Sequence, residues 1–321
     1  MEKEISFTQS VKEEITAQSF STTYLKSLLA AFCKINGSLK LSNRQTHLVL
    51  RTENAKIAKF LYSNIQNIYD VQSRFSYSKT MNFRKRTTYS VIIETKVQEI
   101  LDDLSIDLLD TKINKVHSSN DKRIAGYLCG SFLASGSVNS PQNSNYHLEV
   151  SVDDESYAKW FVKLVNKYEA AQFNPKIIAR RNQFVIYIKR SDLISSFLVL
   201  IGATQSALDF EAIRVDRELS NIENRLSNLD EANYRKTSDT AKKQLDDISI
   251  VDAILGIEHL DNEKLTNLCL LRIQYEDASM SELAKLLTDS LGYPVSRSNI
   301  AHMFNRIHEL ANKFKGESND K

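Results

Sequence analysis

Glycine and proline are scarce in this sequence, whose 321 residues include 8 Gly and 3 Pro. Collagen-like segments and Gly/Pro-rich linkers are therefore excluded. Long apolar runs are also missing, since the longest, LISSFLVLIGA from Leu193 to Ala203, is too short to span a bilayer. The N-terminal stretch MEKEISFTQSVKEEI is charged and lacks the apolar region of a signal peptide. These absences predict a globular, cytoplasmic protein with no membrane partner.

Cysteine is rare as well, and its spacing excludes several kinds of site. Cys33, Cys129 and Cys269 stand far apart with no C-x-x-C pair, and the 6 His residues show no metal-ligand spacing. Each cysteine sits among apolar neighbours, which predicts a small core residue in a reducing compartment. No Walker, Rossmann or G-x-S-x-G pattern occurs. We therefore expect no metal, no disulfide and no cofactor.

Charge is unevenly distributed along the chain. Hydrophobic residues make up 42% and charged residues 26% of the sequence, which suits two or three domains with cores of their own. Residues 1–205 hold 27 Lys and Arg against 19 Asp and Glu, whereas residues 246–321 hold 8 against 13. A polyanionic partner would therefore find its basic surface mainly in the first two-thirds of the chain.

The first two hundred residues carry one supersecondary pattern twice. The first copy predicts helix, two strands, helix, hairpin and short helix at about 22–35, 38–42 and 46–51, 54–68, 71–78 with 86–94, and 97–104. The second copy predicts the same series at about 121–134, 136–139 and 146–152, 153–168, 175–189, and 191–201. The triplets Asn36-Gly37-Ser38 and Ser135-Gly136-Ser137 end the first helix of each copy and are offset by 99 residues. The pattern indicates an internal duplication.

After the duplicated part, the sequence predicts a charged helical connector and then an all-helical module. The predicted boundaries are 1–105 and 106–205 for the two halves, 206–245 for the connector and 246–321 for the last module. In that module, Ser279 and Glu282 form a capping-box pattern at the start of a helix. Gly292 and Pro294 end this helix, and the next begins near Ser296.

This last helix has one apolar and one polar side. The apolar side is predicted to hold Ile300, Met303, Phe304, Ile307, Leu310, Ala311 and Phe314. Two helices joined by a short Gly-containing turn, with a free polar face on the second, are typical of a helix-turn-helix that enters a major groove. An ordinary solvated helix of a three-helix bundle would give the same periodicity. The predicted DNA-contacting residues are Arg297, Ser298, Asn299, His302, Asn305 and Arg306.

The helices LAAFCKING (residues 29–37) and LCGSFLASG (residues 128–136) resemble two degenerate copies of the LAGLIDADG helix of homing endonucleases. The resemblance implies that the two helices pack through small residues such as Ala30, Ala31, Gly130 and Ala134. It also implies an acidic metal ligand just before the final Gly of each motif. Asn36 and Ser135 occupy those positions and carry no charge to hold a hard cation. Asp153 and Asp154 are explained by their place at the start of a helix.

A LAGLIDADG-like duplicate without its acids, followed by a helix-turn-helix, is similar to the WhiA family of bacterial regulators. The resemblance runs from about Phe7 to Phe314 and includes FLASGSVNSPQNSNYHLEV, LDEANYRKTSDTAKKQ and VSRSNIAHMFNRIHELA. It implies an α+β fold, in which a pseudo-two-fold LAGLIDADG-like αββαββα duplicate precedes an all-α helix-turn-helix domain. It also implies a DNA-binding transcriptional regulator of sporulation, cell division or chromosome segregation. Its expected partner is double-stranded promoter DNA at the nucleoid.

Basic residues of the predicted hairpins and connector are a second group of candidates for phosphate contact. They are Arg84, Lys85, Arg86, Arg180, Arg181, Lys189, Arg190, Arg235 and Lys236. Such contacts would add salt-dependent affinity without base specificity, although solubility alone would also explain these charges. Two other functions stay open at this point: a metal-dependent endonuclease with relocated ligands, and a protein-interaction scaffold with secondary DNA binding to which other regulatory proteins attach.

Overall fold

A computed structural model describes residues 5–42, 44–80, 86–110, 114–143 and 145–319 of the chain. The chain divides into two compact units, Met1–Arg217 and Glu218–Lys321. The fold is mixed α and β in the first unit and helical in the second, as predicted. No helix in the described ranges combines the length and the apolar character that crossing a membrane requires.

The first unit repeats one arrangement of a sheet and its helices. Its helices are α1 (Phe7–Ala17), α2 (Thr22–Asn36), α3 (Ala55–Tyr69), α4 (Val97–Asp103), α5 (Asp121–Ser135), α6 (Glu155–Asn166) and α7 (Ser191–Leu200). Its strands are β1 (Gly37–Ser42), β2 (Gln45–Thr52), β3 (Ser73–Thr80), β4 (Arg86–Ile93), β5 (Gly136–Val138), β6 (Leu148–Val152), β7 (Lys176–Arg180) and β8 (Gln183–Ile188). The sheets have the orders β1-β2-β4-β3 and β5-β6-β8-β7, all antiparallel. The identical orders confirm the predicted duplication.

Alternation along the central strand β6 shows which face of the second sheet is buried. In β6, Leu148, Val150 and Val152 are buried while the residues between them are partly exposed. Successive side chains of a strand point to opposite faces, so one face of this sheet supports the core. The amphipathic helices α3 and α6 contact the sheets and bury their apolar sides, each of which includes an alanine. Each half is therefore a two-layer unit of sheet and helices.

Helices α2 and α5 are the two motif helices, and they pack directly against each other. Both are buried over most of their length, and Gly126 and Gly130 of α5 lie against the backbone of α2. A Cβ at Gly130 would overlap the carbonyl oxygen of Leu28 and lie 2.8 Å from its carbonyl carbon. Gly130 was predicted to allow this contact, but Gly126, which approaches Tyr24 in the same way, was not.

The repeated Asn/Ser-Gly-Ser triplet marks the place where each motif helix passes into a strand without a loop. Gly37 and Gly136 follow the last helical residues with extended backbone, at φ −86° and −74°. Their N–H groups still donate to Cys33 O and Phe132 O, so each residue ends a helix and begins a strand. A Cβ at either glycine would come within 3 Å of the preceding helical turn, at Cys33 or Phe132. This close approach explains why both copies use glycine there.

Helix α1 was not predicted from the sequence. Ser6 caps it by accepting a hydrogen bond from Gln9 N, and Val11 and Ile15 are fully buried. The helix contacts α3 of the first half and β5 of the second. Thr8 Oγ1 donates to Val138 O at 2.8 Å and accepts from Val138 N at 2.9 Å. Helix α1 therefore fastens the second sheet to the first half.

The three cysteines and the single tryptophan belong to the packed interior. Cys33, Cys129 and Cys269 are buried free thiols, and burial raises the pKa of each to about 12. Their thiols are therefore un-ionised at neutral pH and serve as small apolar groups. Trp160 is partly buried against the core, with its ring 5.1 Å from that of Tyr127 in an edge-on arrangement. Its fluorescence therefore reports on the first unit.

We expect His117 to make the first unit less stable in mild acid. The side chain is 2% exposed, its ring lies 5.0 Å from that of Tyr127, and burial lowers its pKa from 6.5 to about 4. The unfolded chain therefore takes up the proton first as the pH falls. Stability that is present above pH 6.5 is lost toward pH 4, by about 2 kcal/mol between pH 7 and pH 5.

Urea unfolding followed by Trp160 fluorescence at pH 7 and pH 5 measures this loss. His117→Phe removes the titrating group and fills similar space, so the variant should lose about 2 kcal/mol less than the wild type over the same interval. Equal pH dependence in both proteins would show that His117 does not titrate as its burial requires.

The second unit is built around helices α9 (Glu263–Gln274), α10 (Met280–Leu291) and α11 (Arg297–Asn319). The end of α8 (Thr204–Ile254), the helix that contains the boundary between the units, contributes Ile248 and Val251 to the same core. Leu268, Leu283 and Ile300 are fully buried at its centre. The unit therefore has a hydrophobic core of its own. The division into four segments at 105, 205 and 245 stays a prediction.

Candidate nucleic-acid interface

Helices α10 and α11 and the turn between them form the arrangement that the sequence predicted. Ser279 and Glu282 make the reciprocal bonds of a capping box at the start of α10. Gly292 ends this helix at φ 75°, in the left-handed conformation that glycine adopts most readily. Ser296 Oγ then accepts from Asn299 N at 3.2 Å at the start of α11. The turn is therefore set by local sequence.

Thr288 fastens this turn to α10. Its hydroxyl donates to Ala284 O at 2.7 Å and accepts from Val295 N at 2.9 Å. The bond from Val295 holds the segment that follows Pro294 against the preceding helix. The Gly292 cap fixes the start of the turn and the Thr288 hydroxyl fixes its end, so α11 leaves α10 in a defined direction.

Helix α11 has the two faces that its periodicity predicted. Ile300, Phe304, Ile307 and Ala311 are buried in the core of the second unit. The predicted contact residues are all exposed, and they are Arg297, Ser298, Asn299, His302, Asn305 and Arg306. The first two and a half turns of α11 thus present two guanidinium groups, amides, a hydroxyl and an imidazole. These groups can hydrogen-bond base edges and phosphates.

The C-terminal half of α11 is tied to the end of α8 by charged groups. Asp247, which is 8% exposed, lies 2.6 Å from His308 Nδ1 and 3.7 Å from Lys315 Nζ. His308 Nε2 is in turn 3.0 Å from Asn312 Nδ2. These contacts occupy the residues that follow the exposed stretch and leave the stretch itself accessible.

Arg272 is a buried support that sequence reasoning missed. Its Nη1 donates to the carbonyl oxygens of Tyr275, Glu276 and Ala278 at 3.4, 3.2 and 2.6 Å, and its guanidinium lies 5.6 Å from the centre of the Phe304 ring. Burial lowers the pKa of this group. Arg272 therefore shapes the α9–α10 turn and supports the core side of α11. An arginine among helical residues gives no sign of this role in sequence.

The other basic candidates are scattered across both units. Arg84 and Lys85 lie outside the described residues, and only the backbone of Arg86, in β4, is described. Arg180, Arg181, Lys189 and Arg190 are exposed at the β7–β8 hairpin and after it, and Arg190 pairs with Asp192 at 2.6 Å. In α8, Arg235 pairs with Glu231 at 2.5 Å and Lys236 is exposed. Their phosphate contacts stay predictions.

The two degenerate motif positions lie at the adjoining ends of α2 and α5. Asn36 Nδ2 donates to Ala134 O at 2.9 Å, so this side chain joins one motif helix to the other. The Ser135 hydroxyl is buried and has no hydrogen-bond partner among the described residues. Both residues border a cavity of about 670 Å³, which we call the acidic cavity.

Four carboxylates line the acidic cavity, and they are Glu53, Asp110, Asp153 and Asp154. Asp154 caps α6 by accepting from Tyr157 N at 2.6 Å, which confirms the helix-start explanation for this residue, and Asp153 accepts from Gln183 Nε2 at 3.0 Å. Lys34 enters the same cavity and donates to the carbonyl oxygens of Asp107, at 2.6 Å, and Asp110. An ammonium group thus already stands among these acids. Sequence reasoning missed Glu53 and Asp110 because tertiary packing, which no local pattern encodes, brings them to the ends of the motif helices.

The acidic cavity does not match the donor set of a divalent metal site. In the part of the chain that the structure describes, no three His, Cys, Asp or Glu side chains are placed to hold a metal ion together. Hard cations need several oxygen donors within about 2.0–2.6 Å. The two motif positions offer one amide and one hydroxyl, both of them neutral, and the amide nitrogen is held by its bond to Ala134 O. These residues do not fit the metal that the endonuclease resemblance implies.

Three family profiles match successive parts of the chain. They describe a WhiA N-terminal LAGLIDADG-like domain at residues 24–107, a WhiA LAGLIDADG-like domain at 124–220 and a WhiA C-terminal helix-turn-helix domain at 224–311. Fold and matches together define the class: a duplicated LAGLIDADG-like scaffold followed by a helix-turn-helix.

Relatives of known name match the whole chain. The "probable cell division protein WhiA" of Enterococcus faecalis is 36% identical over 98% of this chain and 100% of its own length, and that of Lactobacillus johnsonii is 37% identical with the same coverage. The chain belongs to the WhiA family.

Solved structures agree with this fold. Full-length DUF199/WhiA from Thermatoga maritima has a TM-score of 0.60 at 23% identity, covering 97% of this chain and 99% of that one. The N-terminal LAGLIDADG domain of DUF199/WhiA has a TM-score of 0.50 at 24% identity, over 62% of this chain and 92% of that one. At these identities the likeness shows the fold alone.

Proposed function

We propose that this protein is a sequence-specific DNA-binding regulator of transcription in which α11 enters the major groove of promoter DNA. The observation that carries the proposal is the exposed N-terminal stretch of α11, held on a helix-turn-helix by a capped and hydrogen-bonded turn. Such a helix reads base edges with its first turns while its apolar side stays in the protein core. Asn305 and Arg306 are the proposed base-reading residues, because amide and guanidinium groups pair with adenine and guanine.

The biological setting of this regulation follows from the relatives. Proteins of the same family that match this chain over almost its full length are named probable cell division proteins. We extend that link to this chain, with sporulation or chromosome segregation as related processes and a cytoplasmic, nucleoid-associated location. The predicted segments 1–105, 106–205, 206–245 and 246–321 are part of this proposal.

The duplicated first unit acts in this proposal as a scaffold that does not cut DNA. Phosphodiester hydrolysis by two metal ions requires carboxylates that hold both ions and activate water. Asn36 and Ser135 stand at the two motif ends, and the Lys34 ammonium lies among the acids nearby. The neutral side chains at the two motif ends and the Lys34 ammonium group among the acids support a role without DNA cleavage.

Selection of genomic fragments by the full-length protein, followed by fluorescence anisotropy on the selected DNA, tests the proposal. Specific binding should exceed binding to random sequence by at least about 10³-fold at physiological salt. Affinity for random DNA should fall steeply with salt, because phosphate contacts dominate it. Supercoiled plasmid incubated in parallel with Mg²⁺ should stay intact. Equal affinity for all fragments would contradict the regulator, and metal-dependent nicking by the purified protein would contradict the scaffold.

A further inference from the structure

A second cavity in the first unit is lined by a lysine that forms no ion pair with any residue that the structure describes. It has a volume of about 1010 Å³ and lies where α1, the ends of α2 and α5, and the start of α3 meet. We call it the Lys12 cavity, after a residue of α1 in its wall. Asn36, at the first degenerate motif position, borders this cavity as well as the acidic cavity. All the residues that line the Lys12 cavity belong to the first unit.

Lys12 is charged in surroundings that do not neutralise it. Its ammonium lies 5.6 Å from the centre of the Phe132 ring, and burial lowers the pKa of Lys12 to about 8. None of the ion pairs formed among the described residues includes this lysine. Lys56, in the same cavity wall, differs because it pairs with Glu13 at 2.5 Å. A buried ammonium is costly unless an anion compensates it.

Other groups in the wall are suited to an anion. Arg51 donates from Nη1 to Ser38 Oγ at 3.0 Å, which leaves other guanidinium N–H groups available. The first turn of α3 faces the cavity at Asn54, Ala55 and Lys56, and the N-terminus of a 15-residue helix carries partial positive charge. Asn54 Oδ1 already accepts from Lys56 N at 2.8 Å and Ile57 N at 3.2 Å, so α3 contributes its dipole rather than these two N–H groups. Glu13 is engaged with Lys56, and Glu53 has a partner of its own.

The wall also has an apolar part. Ile57, Tyr89 and Leu133 line the cavity together with the hydroxyl-bearing Thr87 and Thr88. Binding sites for small organic molecules combine apolar and aromatic walls with a few polar groups, in cavities of roughly 300–1,000 Å³. The Lys12 cavity is therefore large enough for more than an inorganic ion.

We propose that the Lys12 cavity binds a small phosphorylated molecule, with its phosphoryl group held by Lys12 and Arg51 near the N-terminus of α3. Phosphoryl oxygens accept charge-assisted hydrogen bonds from ammonium and guanidinium groups, and the positive end of a helix dipole favours their negative charge. Tyr89 and Ile57 flank the organic part. A phosphate of bound DNA has the same chemistry, and the experiment separates the two sources. The proposal does not depend on base reading by α11.

Thermal unfolding of the full-length protein, titrated with pyrophosphate, tests this site. We expect a saturable rise in Tm for the wild type and at least tenfold weaker apparent binding for Lys12→Met. Methionine fills similar space without charge, so this variant should fold, because apolar replacement of a buried charge is often neutral or stabilising. Lys59→Met is the matched control, since Lys59 is an exposed lysine of α3 outside the cavity wall and its loss should leave binding unchanged.

Chemical labelling gives a readout that does not depend on stability. Pyrophosphate should slow the acetylation of Lys12 by acetic anhydride at pH 8 at least fivefold and leave the acetylation of Lys59 unchanged, as measured by mass spectrometry. The same labelling with a random-sequence DNA duplex in place of pyrophosphate shows whether the phosphoryl group comes from DNA or from a small molecule. Protection by duplex alone would assign the phosphoryl group to the DNA backbone and overturn the small molecule. No Tm rise, or equal rises in both methionine variants, would overturn the site.

Discussion

Replacing Asn305 and Arg306 together with alanine is expected to remove most of the sequence preference in DNA binding while leaving the fold intact. Both side chains are exposed on α11, and neither contributes to the core of the second unit. A well-placed bidentate contact to a base contributes about 1–3 kcal/mol of discrimination, so the double change should weaken specific binding by about 2–6 kcal/mol, or at least about 30-fold. Binding to random DNA should weaken much less. Fluorescence anisotropy with selected and scrambled duplexes measures both quantities.

The same helix supplies a matched control for this experiment. Asn312 and Lys313 repeat the pairing of an amide with a basic residue seven positions later, and both are exposed. Asn312→Ala with Lys313→Ala therefore removes an amide and one positive charge, two turns beyond Asn305 and Arg306. The contact that Asn312 loses is an exposed one, with His308 of the same helix at 3.0 Å. This variant should keep its preference for the selected sequence. If both double variants lost preference equally, the effect would come from net charge and α11 would not be the reading element.

Replacing Gly130 with alanine is expected to destabilise the first unit by more than about 2 kcal/mol, because overpacking typically costs 1–3 kcal/mol and here the obstacle is backbone. Intrinsic helix propensity predicts the opposite, since alanine is favoured over glycine by about 1 kcal/mol in a helix interior. The contact with α2 makes the change in unfolding free energy destabilising, because the added Cβ would overlap Leu28 O and lie 2.9 Å from Leu28 Cα. Urea unfolding followed by Trp160 fluorescence measures the change.

Replacing Gly292 is a control that separates the cost of steric overlap from the cost of replacing any glycine. Around Gly292, an added Cβ would meet no atom within 4 Å, and only the positive φ of 75° opposes a side chain. Gly292→Ala should therefore cost about 1–2 kcal/mol in the second unit, measured by circular dichroism, and should not shift the Trp160 transition. An unchanged or higher stability of Gly130→Ala would mean that α2 and α5 are not held at backbone contact.

The duplicated fold could be predicted because its signals are local. Period-two and period-three-to-four patterns placed every strand and most helices of both halves, and the repeated Gly-Ser triplets aligned them. Helix α1 was missed because it is short and buries only Val11 and Ile15, which gives a weak apolar periodicity. Gly126 was missed for a different reason: its need to be small arises from Tyr24, about a hundred residues away.

The candidate DNA-binding helix could also be predicted, since a capping box, a glycine C-cap and an amphipathic pattern are all local features. The two cavities could not be predicted from the sequence. Glu53 and Asp110 reach the acidic cavity from separate segments, and Lys12 comes to its cavity from a helix that sequence reasoning did not place. The role of Arg272 could not be predicted either, because the carbonyl oxygens to which it donates belong to a turn whose geometry no sequence pattern encodes.

The bond from Asn36 to Ala134 bears on whether an acidic residue could stand at the first motif position. Aspartate at position 36 would set a carboxylate oxygen against the Ala134 carbonyl oxygen across the 2.9 Å now bridged by an amide proton. Two acceptors facing each other with no hydrogen between them repel, so the seam would have to open before an acid could be tolerated. A single change to aspartate at position 36 would therefore weaken the contact between α2 and α5 as well as add a possible metal ligand.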